Sequence, residues 1–272
     1  MSDTSDCKPG RAPYHVRLLY AEEREVNEVA LQERLTQRLW GARVSPRDRH
    51  GVVGVHGPIT LTIEGRAVPA LSGITTKAIE PYAVGEYQQS WEWGWRAASA
   101  IGSHARFAID FGELTSMMLA TPDRVRLLLE SIASLVEAQP PLAIHWCTTG
   151  KFEEPGAFLA KLAGADRVRR AINVRLFELP DGELVMDTLG LCALGMLDLQ
   201  VHFKDLDLEE VGHYLYDTAV EHIAAGPRVH VPCACPVGDG DTITGPGGRA
   251  AIGRYEMAMI APRRGVLDIA AL

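Results

Sequence analysis

Residues 171–203 read AINVRLFELPDGELVMDTLGLCALGMLDLQVHF, and this stretch decides the fold. The segments 173–179 and 183–187 are rich in strand-favouring residues, and Pro180-Asp181-Gly182 between them has the composition of a tight turn. The three segments together predict a β-hairpin. After the hairpin the chain is interrupted by glycines and then enters a further predicted strand at 198–203.

The composition is that of a globular protein with a negative net charge. Of the 272 residues 47% are hydrophobic and 23% are charged, and the formal net charge is −8. Nucleic acids and anionic membranes attract clustered lysine and arginine, so an acidic chain is poorly suited to them. We therefore expect neither nucleic acid nor membrane as a partner, and we favour a basic protein.

The distribution of apolar residues and cysteines predicts a cytoplasmic location. No run reaches the roughly 18 to 20 apolar residues of a membrane helix, and the polar residues 1–13 have no signal-peptide core. The five cysteines are an odd number without the spacing of a disulfide framework, which agrees with a reducing compartment.

The order of predicted elements indicates an α+β protein. Thr121-Pro122-Asp123 predicts a helix start, with Thr121 as the cap, and Asp207 with Glu210 predicts a capping box. Pro69 and Gly73 argue against a strand over 66–79. The other predicted elements are strands at 15–20, 105–111, 142–147, 255–260 and 266–269, a hairpin at 52–55 and 59–64, and helices at 26–39, 85–103, 121–139, 155–163 and 207–225.

We expect a mixed, largely antiparallel sheet with helices packed on it, and two sub-domains of similar size. The predicted organisation is a loose arm at 1–13, an N-terminal α+β domain at 14–165 and a C-terminal α+β domain at 166–272. The alternative is that the two parts share one sheet.

Three stretches resemble a bacterial family of uncharacterised proteins, the domain of unknown function 4261. They are 142–150 (LAIHWCTTG), 187–199 (DTLGLCALGMLDL) and the turn at 239–243. The family domain itself corresponds to about the last third of the chain. Because similar proteins occur near contact-dependent and type VI secretion toxins, the resemblance implies an immunity or accessory role. It implies no catalytic residues.

A charged stripe is the first candidate site. Glu209, His213, Asp217 and Glu221 recur every four residues along one side of the helix that begins near 207. Such a stripe is typical of any solvated helix face, and it also suits contact with a basic partner. Trp93, predicted on the opposite side of its helix from Trp91 and Trp95, is a further candidate contact residue, whereas the other two are expected in the core.

A thiol with a neighbouring imidazole is the second candidate. His145 and Cys147 are two residues apart on one predicted strand, and Asp110 ends the neighbouring strand, so the three suit a hydrolase pocket. Residues at this spacing lie about 6 to 7 Å apart at Cα, which makes a direct hydrogen bond awkward. The alternative is a half-buried strand face with an inert thiol.

His230, Cys233 and Cys235 form the most metal-like spot in the sequence, since imidazole and thiolate are the preferred ligands of zinc. Structural zinc sites normally use pairs with wider spacing, and no second pair follows, so an ordinary proline-rich loop is the favoured interpretation. We expect no cofactor and no metal.

Two functions follow as hypotheses. The first is a non-enzymatic, cytosolic immunity protein that neutralises a toxin by binding it through an acidic surface. The alternative is a hydrolase, with either the Cys/His/Asp pocket or the zinc site.

Overall fold

The chain folds into two compact units. The N-terminal unit comprises residues 13–88 and 94–171, and the C-terminal unit comprises 1–12, 89–93 and 172–272. Each unit contains its own sheet, and the pairings are largely antiparallel, so the predicted α+β class is confirmed. The structure is a computed structural model that describes residues 12–81, 90, 98–162, 165–180, 182–225 and 241–271.

The N-terminal unit is built on one antiparallel sheet. Its strands are β1 (His15–Tyr20), β2 (Arg43–Ser45), β3 (Val53–Ile63), β4 (Arg66–Ala78), β5 (Phe107–Glu113), β6 (Ala143–Trp146) and β7 (Lys151–Glu153). They lie in the order β2-β3-β4-β5-β1-β6-β7. The helices of this unit are α1 (Glu28–Arg38), α2 (Ala98–His104), α3 (Thr121–Ala138) and α4 (Pro155–Leu162).

Helix α3 supplies much of the core of this unit. Val125, Leu128 and Ile132 are buried at helical spacing, as predicted, and burial of each such side chain contributes about 1.5–3 kcal/mol. The predicted cap is wrong. The helix begins at Thr121 itself, whose side chain is buried, and Ala120 takes the cap position without a side-chain bond. Proline is still tolerated in the first turn, where its missing N–H costs no helical bond.

The predicted hairpin at 52–64 is also wrong. Those residues form the single long strand β3, which pairs with β4 over its whole length apart from a register shift between His56 and Thr60. Pro58 lies at this irregularity, where no regular ladder bond is required. Pro69 is tolerated in β4 because pairing with β5 begins only at Ser72, so the proline has one neighbouring strand.

The C-terminal unit contains the hairpin predicted at residues 173–187. Its strands are β8 (Asn173–Glu178), β9 (Leu184–Leu189), β10 (Asp198–Phe203), β11 (Asp241–Thr244), β12 (Ala250–Met257) and β13 (Gly265–Ala271), in the order β11-β12-β13-β10-β9-β8. Strands β10 and β13 are parallel, and the other neighbours are antiparallel. The predicted hairpin and the strand at 198–203 are confirmed.

One long helix, α5 (Leu208–Ala225), packs on strands β8, β9 and β10. The Asp207 carboxylate accepts hydrogen bonds from the backbone N–H groups of Glu209 and Glu210 at 2.9 and 3.0 Å, so the predicted cap is confirmed. No helix in the part of the chain that the structure describes is long and apolar enough to cross a membrane.

A buried ion-pair cluster joins β9, β10 and the start of β13. Arg264 donates to Asp198 through Nε at 2.9 Å and to Asp187 through Nη2 at 2.7 Å. Arg175 binds Asp187 with both Nε and Nη2, at 2.8 and 2.6 Å. Both aspartates are 0% exposed, so each arginine compensates a charge that water does not reach.

Candidate functional site

A groove runs along α5 in the C-terminal unit. Its volume is about 760 Å³, and it is bounded by the helix on one side and by β12 and β13 beneath. Helix α5 packs on the half of the sheet formed by β8–β10. Among the described residues, no helix packs extensively on the half formed by β11–β13. The groove is therefore a consequence of one helix packing on part of a wide sheet.

The floor of this groove is apolar and follows from strand register. Tyr255 lies directly opposite Leu267, and Gly253 lies opposite Ile269, on neighbouring strands. The phenol ring of Tyr255 is partly exposed, so it is available for contact with an occupant.

The helical wall of the groove is acidic. Glu210, Asp217 and Glu221 line it together with His213 and His222, and the described lining contains no lysine or arginine. We call this cavity, with its acidic wall and apolar floor, the acidic groove. Its polar contacts include the hydroxyl of Tyr214, which donates to the Thr244 carbonyl at 2.9 Å and links α5 to β11.

Three of the predicted contact residues line the acidic groove, and one lies outside it. His213, Asp217 and Glu221 line the acidic groove, while Glu209 is exposed on the same helix outside the lining. Trp93 lies outside the described residues. The stripe was predictable from its spacing, but the groove was missed, because its floor comes from later strands, β12 at 250–257 and β13 at 265–271.

A second candidate site crosses the sheet of the N-terminal unit. Strand register places Thr75, Asp110, Arg17, His145 and Phe152 in one row over β4, β5, β1, β6 and β7. The Asp110 carboxylate accepts hydrogen bonds from Arg17 Nε at 2.6 Å and Nη2 at 3.1 Å. The His145 ring stacks on that of Phe152, with centroids 4.3 Å apart.

The Cys147 thiol lies between two imidazoles at one end of this row. Its sulfur is 3.5 Å from Nδ1 of His145, and Cys147 also contributes to the raised pKa of the neighbouring His15 imidazole. Nε2 of His15 is 3.4 Å from Asp110 Oδ1. The expectation that a direct hydrogen bond between His145 and Cys147 is awkward is wrong, because Cys147 lies beyond the end of β6, where the chain turns.

Three cationic groups surround the carboxylate of this site. Lys77 Nζ is 2.7 Å from Asp110 Oδ2, and Arg17 and His15 complete the set. We call Cys147, His15, Asp110, Arg17, Lys77 and His145 the thiol cluster. Sequence reasoning found three of its members and missed the other three, although the alternation of β1 puts His15 and Arg17 on one face.

Protonation of the two histidines differs because their surroundings differ. Hydrogen bonds with Asp110 and Cys147 raise the pKa of His15 to about 9, so this imidazole is positively charged at neutral pH. Burial lowers the pKa of His145 to about 3, with a further contribution from Arg17, so that ring is neutral. Burial opposes ionisation of Asp110, but the bonds from His15, Arg17 and Lys77 hold its pKa below the usual range.

The zinc hypothesis falls on residues that the structure does not describe. His230, Cys233 and Cys235 all lie within the undescribed segment 226–240. Among the residues that are described, no group of three or more His, Cys, Asp or Glu side chains is placed to hold a metal ion.

Comparison with known proteins gives one finding for this chain. No curated protein and no solved structure matches it. The match to a family model covers residues 187–270, which include α5, β10 and β11–β13, while the stretch at 142–150 lies outside it. The acidic groove falls in the matched part, as do Arg264, Asp187 and Asp198, and residues 187–270 match the family model described as a domain of unknown function (DUF4261).

Proposed function

We propose that the protein is non-enzymatic and binds a basic protein through the acidic groove, acting as a cytoplasmic immunity protein that neutralises a bacterial toxin. The observation that carries this proposal is the groove itself, which combines three carboxylates with an apolar floor. All of its described lining lies in the part of the chain that matches the family model. The family resemblance favours a toxin of a type VI or contact-dependent system.

The chemistry of the groove fits a segment of chain that carries lysine or arginine next to an apolar residue. Its volume of about 760 Å³ lies within the range of about 300–1,000 Å³ that is usual for binding sites. Carboxylates at Asp217 and Glu221 attract the basic side chain, while Leu267 and Tyr255 contact its apolar neighbour. Such charges increase the rate of encounter more than they tighten the final complex.

The test uses the product of the neighbouring gene as the candidate partner. We expect the purified protein to bind it and to protect cells from it. Charge reversal at Asp217→Lys and Glu221→Lys should lower the association rate at least about tenfold, since opposite charges become like charges. Glu178→Lys is the matched control, because Glu178 is an exposed acidic residue on β8, the opposite edge strand of the same sheet.

The outcomes separate clearly. Loss of binding in the double variant with binding retained in the control supports the groove as the contact surface. Equal loss in both variants would indicate a general charge effect and remove the groove from the proposal. Absence of both binding and protection with the natural protein contradicts the immunity function.

A cysteine hydrolase remains the second candidate, because the structure brings a thiol, an imidazole and a carboxylate together. In this version Cys147 is the nucleophile, His15 exchanges a proton with it, and Asp110 orients His15. His145 replaces His15 in the version drawn from the sequence, but the low pKa of His145 makes it a weak base at neutral pH.

Turnover of ester and thioester substrates tests the hydrolase. Activity should be lost in Cys147→Ser and retained in Cys192→Ser, which changes the other thiol in the described residues. Activity that survives Cys147→Ser, or no activity with any acyl donor, contradicts this function. Metal analysis of the purified protein separately tests the hydrolase with a zinc site at His230, Cys233 and Cys235, and a protein without bound zinc contradicts it.

A further inference from the structure

Open space lies beside the His15 imidazole in the thiol cluster. His15 on β1 is directly opposite Gly112 on β5, and residues directly opposite each other in a sheet point to the same face. A Cβ added at Gly112 would meet no atom within 4 Å. The glycine therefore leaves room for a small molecule next to the ring.

The thiol cluster can be reached from solvent. The side chains of His15 and Lys77 are 42% and 48% exposed, and Cys147 is partly exposed. Asp110 lies below them and is buried. A small molecule in the space beside His15 therefore meets the imidazole, the ammonium group of Lys77 and the sulfur before it meets the carboxylate.

The cluster carries an excess of positive charge on an acidic protein. Among the described residues of the cluster, Arg17, Lys77 and protonated His15 face one carboxylate, that of Asp110, and His145 is neutral. The described cluster thus carries three positive groups and one negative group, whereas the whole chain has a formal charge of −8. A positive patch of this kind raises the local concentration of anions and lowers that of cations.

We propose that Cys147 is a modification site that forms mixed disulfides with small anionic disulfides held beside His15 and Lys77. The proposal goes beyond both functions given above, because it requires a single stoichiometric exchange and neither a protein partner nor turnover.

The exchange is balanced without a further oxidant. The sulfur of Cys147 attacks one sulfur of the anionic disulfide, a new S–S bond forms, and the original S–S bond breaks. The electron pair of the broken bond leaves with the released thiolate. The proton of the Cys147 thiol passes to solvent, and a hydrogen bond from the imidazolium of His15 holds the attacking sulfur in place.

Cys192 provides an internal control within the same molecule. It lies in the C-terminal unit, where burial raises the pKa of its thiol to about 12, with a further contribution from the charge of Asp198. Because the thiolate is the reactive form, Cys192 should react slowly with any disulfide.

The experiment compares two disulfides of opposite charge on the full chain, with each cysteine followed by peptide mass spectrometry. Glutathione disulfide is anionic and cystamine is cationic. We expect glutathione disulfide to modify Cys147 at least about tenfold faster than Cys192. Lys77→Met should lower the rate at Cys147 about fivefold for glutathione disulfide without lowering it for cystamine. Added salt should likewise lower the rate at which glutathione disulfide modifies Cys147 in the unsubstituted protein.

Each result decides the proposal. A Cys147 that reacts no faster than Cys192 overturns the modification site. Equal responses of both disulfides to Lys77→Met and to salt overturn the preference for anions. Circular dichroism checks that the Lys77 variant is folded, and Lys77→Arg, which keeps the charge, should restore the rate with glutathione disulfide. Modification of Cys147 without hydrolysis of any acyl donor supports the modification site and contradicts only the hydrolase function.

Discussion

Replacement of Arg264 by methionine should destabilise the C-terminal unit by about 3–5 kcal/mol at neutral pH. Arg264 is 9% exposed and holds Asp187 and Asp198, which are both 0% exposed. Methionine fills a similar volume, so the cost comes from buried charge rather than from a cavity. Arg175 still compensates Asp187 in the variant, and the unpaired charge is therefore that of Asp198.

The size of this effect should depend on pH with a definite sign. Burial raises the pKa of the Asp198 carboxyl, and the charge of Arg264 opposes that rise. Without Arg264 the pKa of Asp198 rises further, so the carboxyl becomes protonated under milder acid conditions. A group whose pKa is raised by folding adds stability at low pH and loses it as the pH rises through the folded value. The destabilisation should therefore be larger at pH 8 than at pH 5.

Urea unfolding followed by circular dichroism measures the free energy, and hydrogen exchange of the β10 and β13 amides assigns the transition to the C-terminal unit. Arg254→Met is the matched control, because Arg254 is exposed on β12 and its loss should change stability by less than about 0.5 kcal/mol. The double variant Arg264→Met with Asp198→Asn should recover much of the lost stability. A loss below about 1 kcal/mol, or one that grows towards pH 5, would refute the reasoning.

Three further predictions concern the N-terminal unit. Leu128→Ala should lower the unfolding free energy in urea by about 2–5 kcal/mol, because Leu128 is 1% exposed in α3, and a loss below about 1 kcal/mol contradicts its core position. Glu113→Gln should lower the thermal midpoint, since Glu113 and Arg124 form an ion pair at 2.6 Å with both side chains 1% exposed; an unchanged midpoint argues against that pair. Asp110→Asn should move the pKa of His15, followed by NMR, from about 9 towards 6.5. In the unsubstituted protein His15 adds stability that is complete below pH 6.5 and is lost as the pH rises through about 9. A His15 pKa near 6.5 in the unsubstituted protein would exclude the bond to Asp110.

The elements predicted correctly from the sequence are those whose causes are local. The pairing of β8 with β9 and the cap of α5 at Asp207 depend on residues that are close together in the chain. Buried helical spacing in α3 is similarly visible along 18 residues. In each case the residues that decide the structure are close to one another in the sequence.

Elements with non-local causes were predicted wrongly or missed. Pro69 made a strand at 66–79 doubtful, but the sequence does not show that pairing with β5 begins three residues later. The role of His15 was missed because its partners, Asp110 and Cys147, lie 95 and 132 residues away and meet it only through the register of three strands. The acidic groove likewise requires knowledge of which strands α5 leaves uncovered.

The Arg264 cluster connects stability to the shape of the acidic groove. Arg264 immediately precedes β13, and its bonds to Asp187 on β9 and Asp198 on β10 fix that strand relative to its neighbours. Strand β13 in turn supplies Leu267 and Ile269 to the groove floor. A shift of one residue in β13 would turn both apolar side chains to the other face and remove the floor. A buried polar cluster often stabilises less than an apolar one of equal volume, so we infer that this cluster serves mainly to select one register and thereby one binding surface.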